Sequence, residues 1–272
     1  VSKIISLKSF IKKILPEKLK RILVGINYGW HGNFKSWKYA EKHCTGYDSD
    51  NILQKVKEAT QIVLNGEAAY ERDSVVFKNI DYSFEFLTSI LWIASQNKGN
   101  LSVLDFGGSL GSSYIQNKRI LETLPNVKWC IVEQEKFVKE GKLLFKNDCL
   151  QFYYSIDACI SEHNINVVIL SSVMQYLESP YELLELIYSK NIDFLLIDRT
   201  AFFDKPDRIT IQKVNPSIYN ASYPCWFFNK KKFLNFMQYK FDLILTFKSK
   251  DFSNVKSEFL GFLFKRKTSF HG

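Results

Sequence analysis

Residues 103–114 read VLDFGGSLGSSY. An apolar run reaches Asp105, glycines crowd the next positions, and serines follow where a helix can open. Glycines in such a turn let the backbone approach a ligand closely, and the first N–H groups of a helix attract electron-rich groups. A phosphate cradle of the GxxxxGK[ST] type needs a lysine before a hydroxyl, and none stands here. A dinucleotide turn needs GxGxxG, a spacing that Gly107-Gly108-Ser109-Leu110-Gly111 does not have. What remains is an acidic residue at a strand end followed by spaced glycines: Asp105, Gly107 and Gly111, with Ser109 between the last two.

Around this turn the chain alternates. Strand-like apolar runs fall at 101–106, 127–133, 150–154, 166–171 and 193–198, separated by helical stretches near 112–124, 135–146, 156–163 and 179–190. That alternation predicts an α/β fold with a parallel sheet covered on both faces. The order then changes to a long loop (199–228), a helix near 229–239, and strands at 241–248 and 258–266 that pair as a hairpin. Upstream, 51–65 and 83–97 read as helices, and the aromatic segment 28–50 reads as loop with short helical pieces. Three regions follow: 1–24, a basic amphipathic helical segment; 25–99, a helical cap or lid; and 100–272, the ligand-binding domain.

The net charge is +9, with 46% hydrophobic residues, enough for a sizeable core. Most of the positive excess sits in residues 1–24, where Lys3, Lys8, Lys12, Lys13, Lys18, Lys20 and Arg21 face Glu17 alone. A nucleic-acid ligand would need a basic face on the domain itself, so none is expected. The same segment admits two readings: peripheral contact with an anionic membrane, or packing on the domain with solvated lysines. No apolar run approaches the roughly 18–20 residues of a membrane span, and a secretory signal is not expected. Five cysteines without a CxxC pair read as reduced thiols in a cytoplasmic setting. His31, His43, His163 and His271 fall on no motif, and no metal site is expected.

Two further signals accompany the glycine turn. The second strand ends in VEQ (132–134), where Glu133 can accept both hydroxyls of a ribose at roughly the 20-residue spacing of dinucleotide sites. After the fourth strand comes SSVMQYLESP (171–180).

Together these resemble the class I S-adenosylmethionine-dependent methyltransferases, whose first motif is D/E-x-G-x-G-x-G; here Ser109 takes the middle glycine's place. More narrowly, GYD (46–48), YERDSVVF (70–77), FYYSI (152–156), LLIDRTAF (195–202), YPCWFF (223–228) and EFLGFLFKR (258–266) are similar to methyltransferases encoded among bacterial surface-polysaccharide genes of the O-antigen or lipopolysaccharide type. The resemblance implies a Rossmann-like fold, a mostly parallel seven-stranded sheet with a C-terminal antiparallel hairpin and an N-terminal helical or lid extension. It implies S-adenosylmethionine as cofactor, held by Asp105, Gly107, Gly108, Gly111 and Glu133, with Ser171 in the same set. Ser155 and Ile156, after the third strand, are expected beside the adenine. Asp198, Tyr176 and Arg199 are the candidates for catalysis, and Glu71, Arg72, Asp73 and Tyr223 for binding the acceptor. The implied activity is O-methylation of a sugar or lipid-linked glycan precursor. A catalytically idle nucleoside-binding or scaffold protein of a glycan-assembly complex is the alternative, motivated by Ser109 and by the absence of histidine near Tyr176.

Overall fold

The structure is a computed structural model that describes residues 28–46 and 49–267. The amphipathic helix expected in residues 1–24 lies outside the described residues. Among the described residues no helix is long and apolar enough to cross a membrane.

The chain begins with β1 (Gly29–Phe34), α1 (Trp37–Glu41) and α2 (Ser49–Leu64). A tight hairpin follows, β2 (Tyr70–Arg72) and β3 (Val75–Phe77), and then α3 (Phe84–Gln96). The alternating section comprises β4 (Asn100–Phe106), α4 (Ser112–Leu121), β5 (Asn126–Val132), α5 (Glu135–Leu144), β6 (Leu150–Tyr153), α6 (Ile156–Glu162), β7 (Val167–Ser171), α7 (Pro180–Ser189) and β8 (Phe194–Phe203). The chain closes with β9 (Arg208–Lys213), β10 (Ser222–Asn229), α8 (Lys230–Met237), β11 (Phe241–Lys248) and β12 (Glu258–Arg266).

In space the central strands run β6-β5-β4-β7-β8, all parallel, and β12 pairs antiparallel with β8 and with β11 on its far side. This is a Rossmann-like, doubly wound arrangement. Strand order reverses between β4 and β7, which opens a crevice at the carboxyl ends of those two strands. Side chains alternate across the sheet, so adjacent residues serve opposite layers. Val103, Trp129, Ile131 and Phe152 pack with α3 and α5 on one face; Leu104, Cys130, Val168 and Leu195 pack on the other with Leu184 of α7 and Phe233 of α8. Burying each such aliphatic or aromatic side chain contributes about 1.5–3 kcal/mol. All five cysteines are free thiols.

Two loop expectations are corrected here, and the sheet is larger than expected. The seven expected strands, with their C-terminal antiparallel hairpin, are present, and the sheet extends to ten because β8 continues past its last partner on β7 (Ser171 opposite Asp198) and pairs in parallel with β10 at Phe202 and Phe228. β10 then pairs antiparallel with β9, and β9 with β1. The expected loop 199–228 is therefore largely strand. Pro224 counts against a strand in the sequence, yet it lies before the β8 pairing begins, where β10 has a partner on one side only. Segment 28–50, read as loop with short helical pieces, holds α1 as such a piece and, against the expectation, the edge strand β1. The acidic and basic run 71–73 sits in the β2–β3 hairpin. Asp73 and Ser74 take φ of 52° and 65°, the left-handed pair that a two-residue hairpin turn requires.

Candidate functional site

The turn after β4 is held at both ends. The Gly107 N–H donates to the Val132 carbonyl at 2.9 Å, and the Gly111 N–H donates to the Gly108 carbonyl at 3.0 Å. Gly107, Ser109 and Gly111 have φ of 71°, 57° and 95°. Ser109 thus adopts the left-handed conformation that glycine enters most readily. Gly108 lies directly over Asp105: a Cβ there would stand 2.6 Å from the Asp105 carboxylate. At Gly107 a Cβ would stand 2.5 Å from Val173, which follows β7.

Asp105 is buried, and its Oδ2 accepts the Trp129 indole N–H at 3.0 Å. Burial pushes its carboxyl up to about 7; Trp129 opposes that shift and the charge of Glu133 adds to it. Glu133 follows β5 and is half-buried. Its Oε2 accepts the Gln134 N–H at 2.6 Å, and burial raises its carboxyl against that bond and one from the Ser109 backbone.

These groups open onto a cavity of about 630 Å³ at the carboxyl ends of β4, β7 and β8. The cavity brings together Asp105, Gly107, Gly108, Glu133, Ser171, Tyr176, Asp198, Arg199 and Tyr223 with Glu71, Arg72 and Asp73 of the hairpin. Three residues expected at the cofactor stand elsewhere. Gly111 caps α4 and packs towards Leu150; Ser155 caps α6 by accepting the Ala158 N–H at 3.1 Å; Ile156 is buried in the core. None of the three is among the residues lining the cavity.

The hairpin is anchored to the glycine turn. Ser112, the first residue of α4, donates to Glu71 Oε1, and the Ser74 N–H donates to Glu71 Oε2 at 3.3 Å. Glu71 is buried, and burial pushes its carboxyl up to about 7 in spite of these bonds. Arg72 Nη2 donates to Gln116 Oε1 at 3.4 Å, with the guanidinium over the Tyr70 ring at 5.6 Å.

Asp198 is buried; its Oδ1 accepts the Arg199 N–H and the Ser249 hydroxyl, each at 2.8 Å. Burial raises the Asp198 carboxyl, opposed by Ser249 and Arg199. The Arg199 guanidinium grips Asp251 through Nε and Nη2, both at 3.1 Å, and Asp73 through Nη2 at 2.8 Å. Nearby, the Tyr176 hydroxyl donates to Gln212 Oε1 at 2.8 Å, its ring meets Tyr223 edge-on with centroids 5.3 Å apart, and the hydroxyls of Tyr219 and Tyr223 lie 3.3 Å apart.

Backbone strain collects here. Among the described non-glycine residues with positive φ, Asp73, Ser74, Ser109, Ser172 and Arg199 all line the cavity, whereas Lys98 and Asn191 do not. Residues held in that region cost on the order of 1–3 kcal/mol each and tend to gather where function demands them.

Gln116, Gln212, Tyr219 and Asp251 also line the cavity and were not singled out from the sequence. Gln116 is one of several polar residues of α4 and carried no signal of its own. Gln212 and Tyr219 belong to the extension read as loop, and Asp251 to a turn that carried no motif. Among the described residues no group of three or more His, Cys, Asp or Glu could hold a metal ion.

No family model matches the chain, and no curated protein does. Solved structures do resemble it. The N-terminal domain of EvdMO1, in the presence of S-adenosylhomocysteine and D-fucose, is 9% identical over 81% of this chain and 98% of that one, with a TM-score of 0.48. The 1,6-didemethyltoxoflavin-N1-methyltransferase of Burkholderia thailandensis, with bound 1,6-didemethyltoxoflavin and S-adenosylhomocysteine, is 10% identical over 82% and 92% of the chains, at 0.44. The magnesium protoporphyrin IX methyltransferase of Synechocystis PCC 6803, with bound S-adenosylhomocysteine, is 14% identical over 65% and 80%, at 0.42.

Proposed function

We propose that the protein is an S-adenosylmethionine-dependent methyltransferase acting on a hydroxyl of a small molecule, a sugar or a lipid-linked glycan precursor of surface-polysaccharide assembly. The observation that carries the reading is the buried carboxylate of Asp105 beneath Gly108, with Glu133 at the end of the adjacent strand. A turn without a side chain above a buried acid suits an amino-acid ammonium group, directly or through water, and does not suit a phosphate. Glu133 would take the ribose hydroxyls, and Gly107 and Gly108 would leave room for the methionine chain.

When bound, S-adenosylmethionine would supply a methyl carbon activated by its sulfonium, with the neutral thioether as leaving group for displacement by the acceptor oxygen. The chain's own work is to align the acceptor, exclude water and receive the hydroxyl proton. Asp198 is suited to the last task. Both of its hydrogen bonds fall on Oδ1, which leaves Oδ2 to accept, and burial makes the carboxylate a stronger base than usual. Arg199 acts as a positioning residue, since its guanidinium is committed to Asp73 and Asp251. Tyr176 and Tyr223 would shape the acceptor's seat. The basic segment 1–24 would bring the enzyme to a membrane surface that carries lipid-linked precursors.

Calorimetric titration with S-adenosylhomocysteine tests the reading. Binding is expected, and Glu133→Ala and Gly107→Val should each weaken it at least tenfold. No binding to well-folded protein would overturn it.

A further inference from the structure

The protein is strongly basic, yet its cavity is acidic. Among the described residues that line it, carboxylates outnumber the two arginines, Arg72 and Arg199, and neither lysine nor histidine takes part. Both arginines have other duties. Arg199 is paired with Asp73 at 2.8 Å and with Asp251 at 3.1 Å, so its charge is already met by two carboxylates. Arg72 bonds Gln116 of α4, the helix that opens from the glycine turn, and so belongs to the cofactor end.

The other end is formed by Tyr176, Gln212, Tyr219 and Tyr223, which arrive from the turn after β7 and from the β9–β10 extension. Their polar atoms are three phenols and an amide. Burial raises the Tyr176 and Tyr223 phenols above their ordinary range, so both remain neutral hydroxyls that donate and accept. Glu178 at the same end adds negative charge. An anion seated there would lose its water without gaining a cation, and that desolvation is what makes unpaired buried charge unfavourable. A ring bearing hydroxyls would meet neutral donors and acceptors, with aromatic faces for its apolar side.

We propose that the acceptor is a neutral polyhydroxylated ring, and that the tyrosine and glutamine wall of the β9–β10 extension excludes acceptors that bring a carboxylate or phosphate into the cavity. The proposal rests on the methyl-transfer reading only for the word acceptor; the charge selectivity belongs to the cavity itself.

The test uses the full chain saturated with S-adenosylhomocysteine, titrated calorimetrically with matched probes on glucose, galactose and mannose scaffolds: the methyl glycoside, the uronate and the 6-phosphate. At least one neutral glycoside should bind, at least about tenfold tighter than its uronate and phosphate partners. Tyr223→Phe should weaken that binding about fivefold while S-adenosylhomocysteine affinity, which also reports folding, stays unchanged. Gln212→Arg should shift the preference towards the uronate. Equal or tighter binding of the anionic members overturns the proposal, as does failure of every neutral glycoside to bind while S-adenosylhomocysteine binds. If S-adenosylhomocysteine does not bind but the neutral glycoside still outcompetes its anionic partners, the methyl-transfer reading fails and the charge selectivity stands.

Discussion

Arg199 reaches Asp73 at 2.8 Å across more than a hundred positions of sequence, tying the tip of the β2–β3 hairpin to the end of β8. The same guanidinium holds Asp251, in the turn between β11 and β12, so one side chain joins three parts of the cavity wall. Asp73 is 59% exposed and Asp251 27%, so the two halves of this clamp differ in strength.

Asp73→Asn should therefore cost no more than about 1 kcal/mol of stability, because water screens the exposed pair. Its effect should show locally, as faster amide hydrogen exchange in residues 70–77. Arg199→Ala leaves Asp251 without its partner and should cost about 1–3 kcal/mol in urea unfolding. Unchanged exchange in the hairpin of both variants would mean that the clamp does not hold it.

Two glycines of the same turn should respond differently to alanine. Gly108→Ala forces the Asp105 carboxylate and Ile131 to move, since the new Cβ would lie 2.6 Å and 2.8 Å from them. Overpacking of this kind costs about 1–3 kcal/mol, and here it should also lower S-adenosylhomocysteine affinity more than tenfold. Gly111→Ala meets only the flexible Leu150 side chain at 3.1 Å but keeps φ near 95°, a strain of about 1–2 kcal/mol. It should lower thermal stability and leave the affinity nearly intact.

The pH dependence follows from Asp105 and Glu71, both held near 7 by burial against ordinary values of 3.8 and 4.5. Folded values above unfolded ones mean that these groups favour folding fully below about pH 4, and that their contribution is lost as pH rises through about 7. For Asp105 the difference is on the order of 4 kcal/mol. Asp105→Asn keeps an acceptor for Trp129 and removes the titration. It should be more stable than the parent at pH 8, with a flatter melting profile between pH 5 and 8, and should lose cofactor affinity. A variant less stable than the parent at pH 8 would show that the carboxylate is not the strained group.

Asp198→Asn separates binding from chemistry. If Asp198 receives the acceptor's proton, turnover should fall about 10²–10⁴-fold while S-adenosylhomocysteine affinity, measured by calorimetry, stays within twofold. Equal losses in both would assign Asp198 to binding or to structure.

The extension can be tested through its root. Phe202 is buried where β8 turns to β10, with ring centroids 5.0 Å from Phe233, 5.2 Å from Phe262 and 5.9 Å from Phe228. Phe202→Ala should cost about 3–5 kcal/mol in chemical denaturation.

Local chemistry made much of this protein legible in one dimension. The period-two and longer apolar runs located β4 to β7 and the start of β8, because each strand's burial depends on its own residues. Asp105, Gly107 and Glu133 could be named together because a strand end, the turn after it and the next strand end are joined by short segments. Ser109 illustrates the limit: the sequence showed a departure from glycine, but only the backbone shows φ 57° and hence the same turn. The reading failed where partners are remote. RITIQK and SYPCWFFN become β9 and β10 because β8 offers an edge beyond β7, and neither segment carries that fact in its own residues. Likewise Glu71, Arg72 and Asp73 could be named from the sequence as candidates, but their partners Ser112, Gln116 and Arg199 come from elsewhere in the fold. The sequence by itself determined the central order of elements along the chain and the glycine turn after β4, since these rest on near-neighbour patterning. Tertiary structure alone decided which wall faces that turn and with what charge, since burial and ion pairing depend on groups far apart along the chain.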